Sequence, residues 1–146
     1  MITIEKEEVL KIITIAAHLL NQKNKKDGLK EISNLLKKRL NVDLILIAQE
    51  INQTLKTKDE EIKLTKLFPQ EWQEKFKRHK IIWTEKEKKI LNKLKMSNLT
   101  LIPIMRKGEW RGLIILGQAA PAPKWSPEIF RLLSIISNIL GNILYI

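Results

Sequence analysis

The sequence predicts an α+β fold, because it combines two strand-like apolar runs with helix-like periodicity at both ends of the chain. Within residues 99–117, two runs rich in Ile and Leu flank a polar corner at 106–109. Short apolar runs bounded by turn residues are typical of buried strands, and a glycine-containing corner between them is typical of a hairpin. Towards both termini, apolar residues instead recur every three or four positions, which is typical of amphipathic helices.

Two residues of this hairpin are unusual for buried strands. Pro103 has no backbone N–H to donate to a neighbouring strand, so we expect it at a sheet edge, a bulge or the rim of a cavity. Gly112 has no side chain, which lets another group approach the backbone there. Together they indicate a regulatory or binding module built on this hairpin.

Length and composition limit the number of domains and the chemistry that the protein can carry. The 146 residues are enough for one domain with a real core, and we expect a single domain over 1–146, with an N-terminal helix in 1–22 and the core of the fold in 27–146. The chain has no cysteine, which excludes disulfides, thiolate nucleophiles and cysteine-bound metals. The N-terminus carries Glu5, Glu7 and Glu8 where a signal peptide needs basic residues, so we expect no targeting segment and a cytoplasmic protein.

The net charge of +11 raises the question of nucleic-acid binding. Of the 27 basic residues, 22 are Lys and five are Arg. Phosphate recognition favours the bidentate fork of Arg, whereas joint enrichment in Lys, Ile and Asn is what AT-rich codon usage produces. A nucleic-acid partner is therefore an alternative, but not the favoured one. The five arginines are Arg39, Arg78, Arg106, Arg111 and Arg131.

The first half of the chain predicts two helices followed by strands. Thr3 is a suitable N-cap for a helix through Leu20, and Asp27 for a second helix that ends at Asn41. Residues 42–48 form an apolar run typical of a central strand. Residues 52–59 are polar and predict a loop or a long hairpin connection, and the alternation over 60–67 predicts an edge strand.

The second half predicts shorter elements around the hairpin. Pro69 suits the first position of a helix over 70–77, and 81–83 is long enough only for a short strand. Residues 84–87 resemble a capping box that opens a helix through Leu94. After the hairpin and an irregular connection, Ser126 is a strong start for a final helix.

This order of elements resembles a GAF domain. The resemblance is greatest at Leu-Ile-Pro-Ile (101–104), Lys-Gly-Glu (107–109) and Gly-Leu-Ile-Ile-Leu (112–116), and it continues through Trp-Ser-Pro-Glu at 125–128. It implies an antiparallel sheet of five to six strands, with long N- and C-terminal helices packed on one face and a small-molecule pocket on the other. Without cysteine, neither covalent bilin attachment nor the methionine sulfoxide reductase activity of this family is expected. Residues 58–60 resemble only a fragment of the cyclic-nucleotide signature.

The resemblance and the aromatic spacing together define a candidate ligand pocket. Aromatic residues at this spacing also serve as ordinary core, so both interpretations stay open. His18 and His79 are isolated and predict no metal site. No nucleophile elbow, phosphate loop or carboxylate pair is present in the sequence, so we expect no enzyme, and no cofactor can be named. The candidate pocket residues are Phe68, Trp72, Phe76, Trp83, Leu101 and Pro103.

The final helix is apolar on most faces, which predicts burial on most faces. As a membrane span it is short and too polar, since it contains Arg131, Asn138 and Asn142. Pairing with the N-terminal helix of the same chain and of a second copy explains this breadth, so we expect a homodimer. The candidate interface residues are Val9, Ile12, Ile13, Ala16, Leu20, Ile135 and Ile139.

The sequence therefore predicts a small regulatory or sensory domain that binds a small ligand or a signalling protein and dimerises through its terminal helices. Two alternatives remain: a basic nucleic-acid-binding protein, and a ligand-free scaffold for protein interaction whose pocket is filled.

Overall fold

A computed structural model describes residues 5–18, 25–57 and 61–144, apart from the side chains of 25, 26, 64, 65, 143 and 144. The helices are α1 (Lys6–His18), α2 (Lys25–Leu40), α3 (Leu64–Leu67), α4 (Gln70–Lys77), α5 (Lys88–Leu94) and α6 (Pro127–Leu144). The strands are β1 (Leu44–Ile51), β2 (Thr54–Lys56), β3 (Glu61–Lys63), β4 (Ile82–Thr84), β5 (Asn98–Arg106) and β6 (Glu109–Gln118). The order of helices and strands agrees with the sequence prediction except at β2 and α3, which the sequence did not predict.

The six strands form one antiparallel sheet in the order β3-β2-β1-β6-β5-β4. This confirms the predicted fold class. On the helix-layer face, α1, α2 and α6 pack on alternate residues of the hairpin strands, including Ile102 and Ile114. On the opposite face, residues of α4 and α5 pack on the intervening residues, including Leu101 and Leu113. Both faces of the central strands are buried, which is why β5 and β6 are near-continuous apolar runs.

The β5–β6 hairpin closes through a two-residue turn. Lys107 and Gly108 both have positive φ, at 51° and 78°. This backbone matches the twist of the flanking strands. Further along the hairpin, Ile104 pairs with Gly112 and Met105 with Trp110, so the intervening residue of β6 bulges out of the register.

Helix α6 lies close against β5 at its C-terminal end. A Cβ atom added to Gly141 would overlap the carbonyl oxygen of Met105. The absence of a side chain at Gly141 therefore lets the helix backbone approach the strand backbone. The outer face of α6 is exposed and mostly polar, with Arg131, Asn138 and Asn142 on it. Among the described side chains of α6, buried and half-buried residues outnumber exposed ones, so the expectation that the helix is buried on most faces is confirmed apart from this outer stripe.

Several predicted boundaries differ from the structure. Helix α2 begins at Lys25, so Asp27 lies inside its first turn, where a carboxylate favours the helix dipole, and does not cap it. Helix α5 begins at Lys88, because Thr84 Oγ1 instead accepts the backbone N–H groups of Lys86 and Glu87 in a turn before the helix. Thr3 lies outside the described residues.

The largest difference concerns the connection after β1. Residues 52 and 53 make a tight turn, and 54–56 form strand β2 against β1. Asn52 and Gln53 have φ values of 49° and 66°, and the Glu50 carboxylate accepts the Gln53 N–H at 3.0 Å. Strand β3 is an edge strand, as predicted, but it covers only three residues before α3 begins.

Candidate functional site

Four aromatic side chains meet on the face of the sheet opposite the helix layer, and we call them the aromatic cluster: Phe68, Trp72, Phe76 and Trp110. Ring centroids are 5.4 Å apart for Phe68–Trp72, 6.3 Å for Phe68–Phe76 and 5.3 Å for Phe76–Trp110. These are the separations of rings in direct contact. The cluster occupies the side of the sheet where the sequence resemblance implies a ligand pocket.

The local sequence explains how α4 supplies two of these rings. Pro69 sets the backbone before the helix, and Trp72 and Phe76 are one turn apart on its buried face. Phe76 is completely buried, and Phe68 and Trp72 are each 5% exposed. This geometry is that of packed core.

The β6 bulge supplies the fourth ring. Without the extra residue at Arg111, strand alternation would turn Trp110 to the same face as Gly112, towards the helix layer. With the bulge, Trp110 packs on Phe76, and its indole Nε1–H donates to the Gly112 carbonyl oxygen at 2.7 Å. The sequence analysis did not include Trp110, and a bulge of this kind leaves no local signal.

The six predicted pocket residues do not form one site. Four of them lie together in the core on the face of the sheet opposite the helix layer: Phe68, Trp72, Phe76 and Leu101. Trp83 is half-buried elsewhere, with Lys124 Nζ 6.0 Å from its ring centroid. The same Nζ is 5.9 Å from the ring centroid of Phe130 on α6. Trp83 therefore belongs to a different surface. Side chains alternate along β4, so Trp83 lies on the opposite face of the strand from Ile82, which packs in the core with the aromatic cluster.

Pro103, the sixth predicted residue, lines a small cavity of about 110 Å³ at the edge of the sheet. The pairing of β4 with β5 covers only Leu99–Leu101. Pro103 thus lies beyond the end of β4 and next to the bulge, where a missing N–H costs little. Residues of β5, α6 and the α4–β4 connection line the cavity, among them His79, Met105, Ser134 and Ser137.

A larger cavity of about 320 Å³ lies between α5 and the β6–α6 connection. Its lining combines charged and polar residues (Glu85, Lys88, Asn92, Ser97 and Asn98) with apolar ones (Leu91, Met96 and Pro121). Asn98 is only 3% exposed and lines this cavity. A side-chain amide carries both hydrogen-bond donors and an acceptor, so Asn98 places both kinds of group at the wall of the cavity.

The helix layer carries two large exposed apolar side chains. Leu10 of α1 is 56% exposed and Ile135 of α6 is 42% exposed, and these two helices pack against each other. Arg39 of α2 also donates to the Glu8 carboxylate of α1 at 2.8 Å, which ties α1 to the rest of the layer.

The predicted dimer-interface residues differ in how exposed they are in the structure. Ile12 and Ala16 lie on the face of α1 that packs into the protomer's own core. They are buried there and are therefore not available to a second copy. Val9, Ile13 and Ile139 are half-buried beside that core. Ile135 is exposed, and Leu20 lies outside the described residues.

Within residues 5–18, 25–57 and 61–144, no group of three His, Asp or Glu side chains is arranged to hold a metal ion. Among the helices described there, none has the length and apolar content needed to cross a membrane.

Comparison with known proteins gives one consistent fold. No protein-family model and no curated protein matches the chain. Solved structures do match. An A. Aeolicus Nlh2 GAF domain in an inactive state is 18% identical, with a TM-score of 0.68, covering 95% of this chain and 96% of that one.

Two further GAF structures superpose more closely at lower identity. The phycocyanobilin-bound GAF domain of a cyanobacterial phytochrome has a TM-score of 0.75 at 12% identity, covering 98% of this chain and 95% of that one. The GAF domain of an Acinetobacter phosphoenolpyruvate-protein phosphotransferase has a TM-score of 0.75 at 13% identity, covering 97% and 94%. The chain therefore has the GAF-domain fold, over almost its whole length.

Proposed function

We propose that this protein is a non-catalytic regulatory domain that works as a homodimer through its helix layer. The observation that carries the proposal is the exposure of Leu10 and Ile135 on two helices that pack on each other. Each side chain contributes about 1.5–3 kcal/mol when fully buried, so a contact that covers both on two protomers gains several kcal/mol. A signal arriving at one protomer would then act by changing how the helices pack.

The aromatic cluster supports an interaction role over a ligand role at that position. Its four rings are connected by three ring–ring contacts, so a guest on that face would have to displace packed core. A bilin covalently attached through cysteine, in particular, is outside the proposal, because the chain has no cysteine.

Sedimentation velocity at about 10–50 μM protein tests the dimer, an ordinary working range for an association of micromolar strength. We expect a dimer for the unmodified protein and a monomer for the Leu10→Glu/Ile135→Glu variant, since each carboxylate would be buried unpaired in the interface. Ile51→Glu is the matched control: it places the same charge on the third large exposed apolar residue, at the end of β1, and should leave the dimer intact. A monomeric unmodified protein contradicts the proposal.

The cavity beside Asn98 supports a second candidate function, the binding of a small polar molecule. Its wall includes the side-chain amide of Asn98, and Glu85 and Lys88 offer one charge of each sign. Native mass spectrometry of protein purified from its own host would reveal a retained molecule. We expect Asn98→Ala to lose that molecule, and Gln73→Ala, which removes a buried amide on α4, to keep it. Retention in Asn98→Ala argues against this cavity.

A further inference from the structure

The end of the sheet at the β5–β6 turn carries a dense cluster of positive charge, which we call the basic end. We define it as residues 75–80 together with 106–111. These two segments contain seven Lys and Arg residues and one carboxylate, Glu109. All seven cationic residues are exposed except Arg106, which is half-buried.

Two contacts bring these segments together. The Phe76 and Trp110 rings, one in each segment, have centroids 5.3 Å apart. His79 and Met105, which adjoin the two groups of cations, line the same small cavity. Charges 30 residues apart in the sequence are therefore neighbours on one end of the molecule.

Arginine is concentrated at the basic end. Three of the five arginines lie there: Arg78, Arg106 and Arg111. Of the other two, Arg39 is held by Glu8 within the helix layer. A codon bias that enriches lysine explains a positive chain, but it does not explain why arginine collects at one surface. Its guanidinium fork fits phosphate in a way that lysine does not.

Exposed carboxylates among the described residues pair with some cations of the basic end. Glu109 pairs with Arg111 at 2.6 Å, and Glu74, just before the first segment, lies 3.6 Å from Lys77. Glu50, in the neighbouring β1–β2 turn, accepts a backbone N–H from Gln53. Both ion pairs are solvent-exposed and weak, so phosphate groups can compete for Arg111 and Lys77.

We propose that the basic end binds the phosphate backbone of a nucleic acid. A nucleic acid is favoured over an anionic membrane because the aromatic residue of the surface, Trp110, is turned into the aromatic cluster and its indole N–H is bonded to Gly112. It is therefore held away from the position in which an aromatic side chain anchors at a lipid interface. The contacts are to backbone phosphates and carry no sequence preference.

Fluorescence anisotropy with a labelled DNA duplex of about 20 base pairs, repeated over a series of salt concentrations, tests this. About four phosphate contacts give a log–log slope near −3.6, which lowers the affinity roughly a hundredfold between about 50 and 200 mM salt. We expect Arg78→Ala/Lys80→Ala/Lys107→Ala to bind at least about tenfold more weakly, with a slope smaller by about 2–3.

The matched control is Lys30→Ala/Lys37→Ala/Lys38→Ala, which removes the same three charges from the exposed face of α2. It should bind within about twofold of the unmodified protein, since phosphate contacts at the basic end are retained. Circular dichroism and thermal melts confirm that both variants are folded. A second variant, Lys107→Glu, changes one exposed turn residue and should also weaken binding.

Three results overturn the proposal. The first is no duplex binding even at low salt. The second is an equal loss in both triple variants, which assigns the attraction to overall charge. The third is binding to phosphatidylserine vesicles that survives where duplex binding does not, which assigns the basic end to a membrane surface.

Discussion

Trp110 and Phe76 pack with ring centroids 5.3 Å apart, and this contact joins the β5–β6 hairpin to α4. The two residues are 34 positions apart and meet because β6 bulges at Arg111. This contact adds the fourth ring to the aromatic cluster. It also brings together the two segments that form the basic end. The same bulge is responsible for both features.

Replacing Phe76 tests whether the aromatic cluster is packed core. Phe76 is completely buried, so Phe76→Ala should lower the free energy of unfolding by about 3–5 kcal/mol, through lost burial and the cavity left behind. Urea denaturation measures this. Lys77→Ala, the next and exposed residue, should change stability by less than about 0.5 kcal/mol. A loss below about 1 kcal/mol for Phe76→Ala would mean that the rings are loosely packed.

Replacing Gly141 tests the close approach of α6 to β5. Elsewhere in a helix, Gly→Ala stabilises by about 1 kcal/mol. Here the new Cβ would overlap the Met105 carbonyl oxygen, a backbone atom that cannot rotate away. We expect Gly141→Ala to destabilise by about 1–3 kcal/mol, as overpacking does. Asn142→Ala, on the exposed face, is the control and should be neutral or stabilising; a stabilised Gly141→Ala protein would contradict the packing.

The turn of the β5–β6 hairpin offers a stabilising change. Lys107 has a φ of 51°, a conformation that asparagine adopts more readily than lysine, and Asn-Gly is the preferred pair for this turn. Lys107→Asn should raise the melting temperature by a few degrees, which corresponds to roughly 0.5–1 kcal/mol. Lys107→Ala removes the same charge without the conformational preference and should not stabilise. Equal effects of the two changes would assign the gain to charge.

Ser126 was predicted from the sequence to start the final helix, but its side chain does not act as a cap in the structure. Serine at a helix start normally contributes about 0.5–2 kcal/mol by accepting a backbone N–H. Here Ser126 is completely buried, and its Oγ has no hydrogen-bond partner among the described residues. Ser126→Ala should therefore be neutral or stabilising in thermal denaturation. The control is Thr84→Ala, which removes an acceptor of two backbone N–H groups and should destabilise by about 1 kcal/mol.

Where the signal is local, sequence and structure agree closely. Pro69 followed by two aromatic residues four apart predicts the bounds of α4, and the glycine corner predicts the β5–β6 turn. The fold class follows from the same patterns. Agreement fails at the β1–β2 turn, where Asn52 and Gln53 adopt positive φ without the glycine that usually marks such a turn.

The candidate sites were less predictable than the fold. Aromatic spacing indicated Trp72 and Phe76, but it could not show that Trp83 faces away or that Trp110 completes the cluster. Likewise, helical periodicity marked Ile12 as apolar without showing that it faces the protomer's own core. Periodicity identifies an apolar face, whereas the neighbour that covers this face is a property of the assembled fold.

The sequence by itself therefore determined the mixture of helices and strands, the hairpin around Pro103 and the absence of cysteine chemistry, because these follow from local backbone preferences and composition. The antiparallel sheet was implied by the resemblance to GAF domains. Only the tertiary structure decided that aromatic rings occupy the expected pocket side and that three arginines share one end of the sheet. The physical reason is that a bulge reverses strand alternation, and long-range packing then chooses which side chains meet.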